Sequence, residues 1–268
     1  MNIIKKKSYG VKEIYLMGDV HLPRGKAGLF KDTIDEIRRN QEAKVILMGD
    51  YVENISANDP RYDPEEMASI ISKYGYPMNM INEQWDWFEN IITPVKDKIW
   101  GAIAGNHEYE YLRRHSINPL KSICKRLDID YLGNGVSLFI INGGDNACRI
   151  LVQHGQGGSS ITAGYVYTKT ERYSKQANAV DVIAAGHTHR LGVDVSVQPL
   201  DVDEETGELC HKNQYLVATG AFLGNYEDSN GDAVASYSER KAYPPLPIGY
   251  VKVVIEDGKV SNVYPVPL

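Results

Sequence analysis

The feature that most constrains this chain is a pattern that recurs five times: a short apolar run closes and at once delivers side chains able to bind a metal. The stretches are Leu16-Met17-Gly18-Asp19-Val20-His21, Leu47-Met48-Gly49-Asp50, Gly101-Ala102-Ile103-Ala104-Gly105-Asn106-His107-Glu108 (at the end of the apolar run Ile99 to Ala104), Leu151-Val152-Gln153-His154-Gly155 and Ala184-Ala185-Gly186-His187-Thr188-His189. Each apolar run reads as a buried strand, and in open α/β sheets functional groups sit just past the carboxyl ends of strands. One such coincidence carries no weight. Five of them in one chain point to a single site.

The segments between the runs give the class of fold. Val11 to Met17 reads as a strand, Leu29 to Asn40 as an amphipathic helix and Ala43 to Met48 as a second strand, which makes a βαβ unit and so a parallel sheet. Pro64 precedes a helix from about Glu65 to Lys73, and Ile81, Trp85, Phe88 and Ile92 share one face of another over Asn79 to Thr93, which Pro94 stops. Trp85 is read as core and Trp87 as rim. Tyr109 to His115 and Pro119 to Leu127 follow as helices, the second with proline at its favoured first position. Further on, Val136 to Ile141 and Cys148 to Gln153 read as an antiparallel pair, Thr168 to Ala179 as a polar helix and Val182 to Ala185 as a strand. The expectation is one domain over residues 1–268, with an insertion on the active face at about 55–79 and a β-rich layer at about 193–268.

Composition narrows the function classes. Hydrophobic residues at 43% and charged residues at 24% suit a globular chain with a sizeable core. The balance of 29 basic against 35 acidic residues, net −6, opposes non-specific attraction to a polyanion, so nucleic acid would need a local basic surface. Cys124, Cys148 and Cys210 form no CxxC pair and read as reduced core residues. The first apolar stretch is too short for a signal peptide core, and no run approaches a membrane span of ~18 residues, so a cytosolic protein with no membrane partner is expected.

The loops together offer Asp19, His21, Asp50, Asn106, His154, His187 and His189: oxygen and nitrogen donors with no thiolate, which suits hard and borderline divalent ions. A lone Asp-x-His or Asn-His is ordinarily just a turn. Context reverses that reading, because of seven histidines only His115 and His211 fall outside the loops. Seven ligands are too many for one ion and suit two, which a carboxylate can bridge.

In order, spacing and strand-exit context, Gly18-Asp19-Val20-His21, Gly49-Asp50, Gly105-Asn106-His107-Glu108, His154 and Gly186-His187-Thr188-His189 resemble the motifs of calcineurin-like metallophosphoesterases. The resemblance implies an α/β fold, a four-layer αββα sandwich of two mixed β-sheets flanked by helices. By motif position it implies that Asp19, His21 and His189 hold one ion, that Asn106, His154 and His187 hold the second, and that Asp50 bridges them. It further implies attack on phosphorus by a hydroxide shared between the ions, with His107 protonating the leaving oxygen or steadying its charge. Manganese is the leading ion, with iron, zinc, nickel and magnesium as alternatives. Glu108 is expected to orient the His107 ring, with solvation at the surface as the alternative.

One departure bears on substrate. Tyr51-Val52-Glu53-Asn54 follows Asp50, where the Ser/Thr phosphatase branch of the family places an arginine on phosphate. Asn54 supplies no charge, which favours a phosphodiesterase or nuclease over a phosphomonoesterase or protein phosphatase, with a non-catalytic interaction module as the third reading. The candidates for shaping the pocket are Ile55 to Pro77, the loop Gly155 to Gly164 and the tail Asn225 to Gly249. A basic stretch, Arg113-Arg114-His115 with Lys121, Lys125 and Arg126, reads first as a solvated helix face and second as a nucleic-acid backbone contact. Tyr226, Tyr237 and Tyr243 around Arg240-Lys241 could stack bases or fill a β-rich layer. The tail Ser236 to Pro245 resembles tails of phage-encoded members and tilts the substrate toward nucleic acid or a nucleotide.

Overall fold

A computed structural model of the chain describes residues 1–59, 61–75, 80–156, 163–176, 179–202, 205–224, 239 and 244–268. In chain order its elements are β1 (Asn2–Lys7), β2 (Glu13–Met17), α1 (Ala27–Arg39), β3 (Ala43–Leu47), α2 (Pro64–Tyr74), α3 (Ile81–Ile92), β4 (Ile99–Ala102), α4 (Asn106–His115) and α5 (Pro119–Leu127). They continue with β5 (Ser137–Gly143), β6 (Asn146–Gln153), α6 (Ala163–Tyr173), β7 (Val182–Ala185), β8 (Leu191–Val202), β9 (Leu209–Thr219), β10 (Gly249–Glu256) and β11 (Lys259–Pro267).

The strands form two mixed sheets. One has five strands in the order β11-β10-β2-β3-β4, and the other has six in the order β1-β5-β6-β7-β9-β8. β2, β3 and β4 are parallel, as are β6, β7 and β9, while β10 and β5 run antiparallel to β2 and β6. Ligand-bearing loops therefore leave both sheets at the carboxyl ends of parallel strands.

Alternation along the strands builds the layers. Ile14 and Leu16 of β2 and Ile46 of β3 point into a core shared with Phe139, Ile150, Val152, Val182 and Val217 of the six-stranded sheet. Tyr15, Met17, Val45 and Leu47 point the other way and meet Phe30, Ile34 and Ile37 of α1 and Trp85 and Phe88 of α3. On the far face of the six-stranded sheet, Leu151, Ile183 and Leu216 pack with Tyr167 and Tyr173 of α6. The result is helix, sheet, sheet, helix, as the motif resemblance implied.

Several boundaries differ from expectation for local reasons. β1 has only Ile3 and Ile4 before three consecutive lysines, too short an apolar run to read as a strand, yet it completes an edge by pairing parallel to β5. The strand expected through Ala104 ends at Ala102, and the helix expected from Tyr109 begins at Asn106, so Asn106, His107 and Glu108 form the first helical turn. The polar helix expected from Thr168 starts at Ala163. Trp85 is buried and Trp87 packs half-buried at the edge of the same cluster. Cys124 and Cys148 are free and buried, as expected; the side chain of Cys210 lies outside the description.

Candidate metal centre

The ligand loops are held in backbone conformations that ordinary residues avoid. Asp19, His21, Asp50, His187 and His189 all take left-handed φ values, 49°, 53°, 52°, 66° and 55°. Each costs on the order of 1 kcal/mol, and such strain concentrates where side chains must be aimed at a site. The glycines beside them serve close approach. A Cβ on Gly105 would overlap Asp50 Oδ1, and one on Gly186 would sit 2.6 Å from Asp19 Oδ2.

The five loops converge. Asp19, His21 and His189 form one group of mutually close donor atoms, and Asp50, His154 and His187 form another. His21 Nε2 lies 3.1 Å from His189 Nε2, and His189 Nε2 lies 3.4 Å from Asp19 Oδ1. Asn106 Oδ1 lies 3.0 Å from His154 Nε2 and 2.6 Å from His187 Nδ1, which joins the amide to the second group. Asp50 stands between the groups. Its Oδ2 is 3.1 Å from His154 Nε2 and 3.9 Å from His21 Nε2, while its Oδ1 accepts the backbone N–H of His107 at 2.9 Å. That last bond ties Asp50 to the amino end of α4, where free N–H groups favour an anion.

The donor chemistry fits divalent cations. His154 Nδ1 meets the Met48 carbonyl at 2.8 Å, an acceptor that places its ring proton on Nδ1, and His21 Nδ1 faces the Glu53 carboxylate at 3.1 Å, a charge that favours a proton on the same nitrogen. The lone pair on each Nε2 then faces only carboxylate and amide oxygens or another imidazole. A cation between them satisfies every group at once. The charges say the same. Although burial opposes a charged ring, Asp19 and Glu53 push His21 up to about 10, and Asp50 pushes His154 up to about 10. Burial likewise works against ionised Asp19 and Asp50, but the facing imidazoles hold both below the usual carboxylate range. The site demands positive charge.

A family model, "Calcineurin-like phosphoesterase", matches residues 12–191, a span that contains all seven candidate ligands. This chain belongs to that family. No curated protein matches it. Similar solved structures include Vps29 from Entamoeba histolytica, at 13% identity and TM-score 0.40 over 96% of this chain and 99% of that one. Vps29 from Chaetomium thermophilum is at 10% and 0.40 over 96% of each chain. A protein serine/threonine phosphatase from Saccharomyces cerevisiae is at 15% and 0.41 over 99% of this chain and 82% of that one.

Within this family member one assignment changes. Glu108 does not orient His107. Its buried carboxylate accepts the backbone N–H groups of Gly105 at 2.7 Å, Asp50 at 2.9 Å and Tyr51 at 3.0 Å, so it pins the Asp50 loop to the start of α4. Burial and the nearby charge of Asp50 raise its carboxyl to about 7. The reason for the difference is the early start of α4, which turns Glu108 inward at the third helical position, where it can cap the turn.

The role expected of Glu108 falls to Glu53, which the sequence reading passed over. The Glu53 carbonyl lies 2.7 Å from His107 Nδ1, and its buried carboxylate meets His21 Nδ1 and, at 3.0 Å, Arg24 Nη1. Burial notwithstanding, Arg24 and His21 hold Glu53 below the usual range. His21, Glu53 and His107 also fall within metal-binding distance of one another, but Glu53 reaches His21 on Nδ1, the nitrogen turned away from His189. We read it as an orienting group. A carboxylate three residues after Asp50 was the available signal.

Arg61 was missed as well. It follows β3 at the start of the region expected as an insertion, and its Nη1 lies 3.1 Å from His107 Nε2. Asn54, by contrast, is buried and accepts Trp85 Nε1–H at 2.8 Å, so it serves packing. The loop from 157 to 162, and Tyr226, Tyr237, Arg240, Lys241 and Tyr243, lie outside the described residues. Of the basic stretch, Arg113 bonds Glu110 at 2.8 Å and Arg126 pairs with Glu89, which fits a solvated helix face.

Proposed function

We propose that the chain is a dinuclear metal-dependent phosphoric ester hydrolase. The observation that carries the reading is Asp50, whose Oδ2 lies within reach of both ligand groups while its Oδ1 is fixed to α4. Asp19, His21 and His189 would hold one ion, Asn106, His154 and His187 the other, and Asp50 both. Two bound divalent ions, manganese in the leading case, would lower the pKa of a shared water and neutralise phosphate oxygens.

The chain's own groups supply the rest. His107 is fixed through Nδ1 to the Glu53 carbonyl, which leaves Nε2 beside Arg61 as the atom to face a leaving ester oxygen. In this reading His107 acts in its doubly protonated form, against the burial that lowers its pKa, and passes the Nε2 proton to that oxygen or steadies its charge while Nδ1–H stays on the Glu53 carbonyl. Glu53 keeps His21 and His107 in register, and Glu108 keeps the bridging loop against α4. The preference for diesters over monoesters rested on the missing charge at Asn54, and Arg61 removes that ground. Nucleic acid as substrate keeps only the outlying tail and tyrosines in its favour. A cytosolic setting belongs to the proposal, and among the described residues no helix is long and apolar enough to cross a membrane.

The test is hydrolysis of p-nitrophenyl phosphate and bis-p-nitrophenyl phosphate by metal-stripped protein reloaded with manganese. Turnover of either that disappears on chelation supports the reading. Two ions bound with turnover of neither would count against it and favour an interaction module on the same fold.

A further inference from the structure

We propose that Arg61 is a substrate-binding residue that contacts a terminal phosphate oxygen and so fits the site to phosphomonoesters. This rests on the hydrolase reading above. The guanidinium is built in place by its own turn. Asp59 N–H donates to the Ser56 carbonyl at 2.8 Å and Tyr62 N–H to the Asp59 carbonyl at 2.9 Å, closing a compact loop around the pair. The buried Asp59 carboxylate then accepts three bonds from Arg61: backbone N–H at 2.9 Å, Nε at 3.0 Å and Nη2 at 2.9 Å.

The two guanidinium bonds to one carboxylate fix the plane of the fork before any ligand arrives, which lowers the ordering cost of binding. Nη1 takes no part in this clamp. It points to His107 Nε2 at 3.1 Å, on the rim of the metal centre, with the side chain 36% exposed and so within reach of a ligand. Arg24 has a different place, against buried Glu53.

The substrate class follows from counting oxygens. A phosphodiester has two non-bridging oxygens and a single negative charge, which a pair of divalent ions can satisfy. A phosphomonoester has a third oxygen and close to a second charge where the diester carries its other ester arm. A rigid guanidinium N–H beside the ions complements that third oxygen and offers nothing to a carbon substituent. It also supplies, from another point in the chain, the charge that Asn54 lacks.

The test measures binding separately from turnover. Orthophosphate and dimethyl phosphate are titrated calorimetrically into manganese-loaded wild type, Arg61→Ala and Arg61→Lys, and both nitrophenyl esters are assayed in parallel. Arg61→Ala should weaken orthophosphate by about 10- to 100-fold, the scale of one charge-assisted hydrogen bond, and dimethyl phosphate by no more than about 2-fold. Arg61→Lys should recover part of the loss as a point charge without the fork. The monoester kcat/KM should fall with orthophosphate affinity and by clearly more than the diester kcat/KM, which Arg61 touches only through His107. Equal weakening of both ligands, or of neither, would overturn the assignment. A wild type that binds orthophosphate through Arg61 yet hydrolyses neither ester would support the assignment and overturn the hydrolase reading.

Discussion

Of two polar clusters, one lies on the five-stranded sheet alone and the other draws on loops of both sheets. Midway along the five-stranded sheet, Glu36 of α1 accepts Tyr15 Oη–H at 2.9 Å, Lys252 Nζ at 2.8 Å and Tyr250 Oη–H at 3.2 Å, and the Lys252 ammonium lies 4.6 Å from the centre of the Tyr15 ring. At the carboxyl ends of the parallel strands, Asp19, His21, Asp50, His154 and their neighbours crowd lone pairs onto lone pairs on a strained backbone. The first cluster is complete, with each donor facing an acceptor. The second is complete only with cations added. A polar group that satisfies its neighbours serves stability, and one that leaves convergent acceptors unmatched marks a place where something binds. The strongest break of this contrast is Asp50→Asn or His154→Ala, which should cost hydrolysis more than about 100-fold, beyond the range for groups that only orient ligands. Wild-type turnover in either variant would remove the site assignment.

Glu53→Gln asks whether the centre depends on groups that touch no ion. It keeps the shape but weakens the hold on His21 Nδ1 and Arg24, so metal affinity from a competition titration should fall by about 10- to 100-fold. Glu108→Gln asks how far the loop brace matters to folding. An amide nitrogen would face backbone N–H groups that now meet a carboxylate, and chemical denaturation should show a loss of about 3 kcal/mol. An unchanged midpoint would mean that the three bonds are replaceable.

The smallest effects belong to the complete cluster. Glu36→Gln should leave turnover and metal content unchanged and cost only about 0.5 kcal/mol, because the carboxylate is largely solvent-screened. Its pH dependence has a definite sign. Burial pushes Glu36 up, but the bonds from Lys252 and Tyr15 outweigh it and hold the folded group below its ordinary 4.5. The contribution is thus fully present above pH 4.5 and is lost as pH falls through the folded value. The stability gap between wild type and Glu36→Gln should close as unfolding is followed down from neutral pH, and a gap that widens toward acid would reverse the account of this cluster.

The two regions also differ in how far they were legible in the sequence. Strands ending in ligands declare themselves, since an apolar run followed by Gly-Asp or Gly-His combines a strand period with residues that sit badly in any strand. The candidate metal ligands are read from that pattern, and the four-layer order from the resemblance of the motifs. Arg61 and Glu53 left fainter traces, because what places them is a turn and a buried contact across loops distant in sequence, and neither has a period. Glu108 was misassigned by adjacency. Side chains one residue apart on a helix do not face each other, and once α4 begins at Asn106 the carboxylate of Glu108 turns to the backbone. The Glu36 cluster went unnoticed for the same reason as Glu53: Tyr15, Glu36, Tyr250 and Lys252 come from three separate elements. β1 escaped because its lysines lie on an edge, where charge is tolerated.

The most direct measurement is metal content. Protein stripped by chelation, reloaded with excess manganese and desalted should retain about two ions per chain by elemental analysis, and Asp50→Asn, lacking a full bridging carboxylate, should retain fewer. Retention of less than one ion by the wild type, or the same two ions in wild type and in a His154→Ala, Asp50→Asn double variant, would contradict a centre built from these seven side chains.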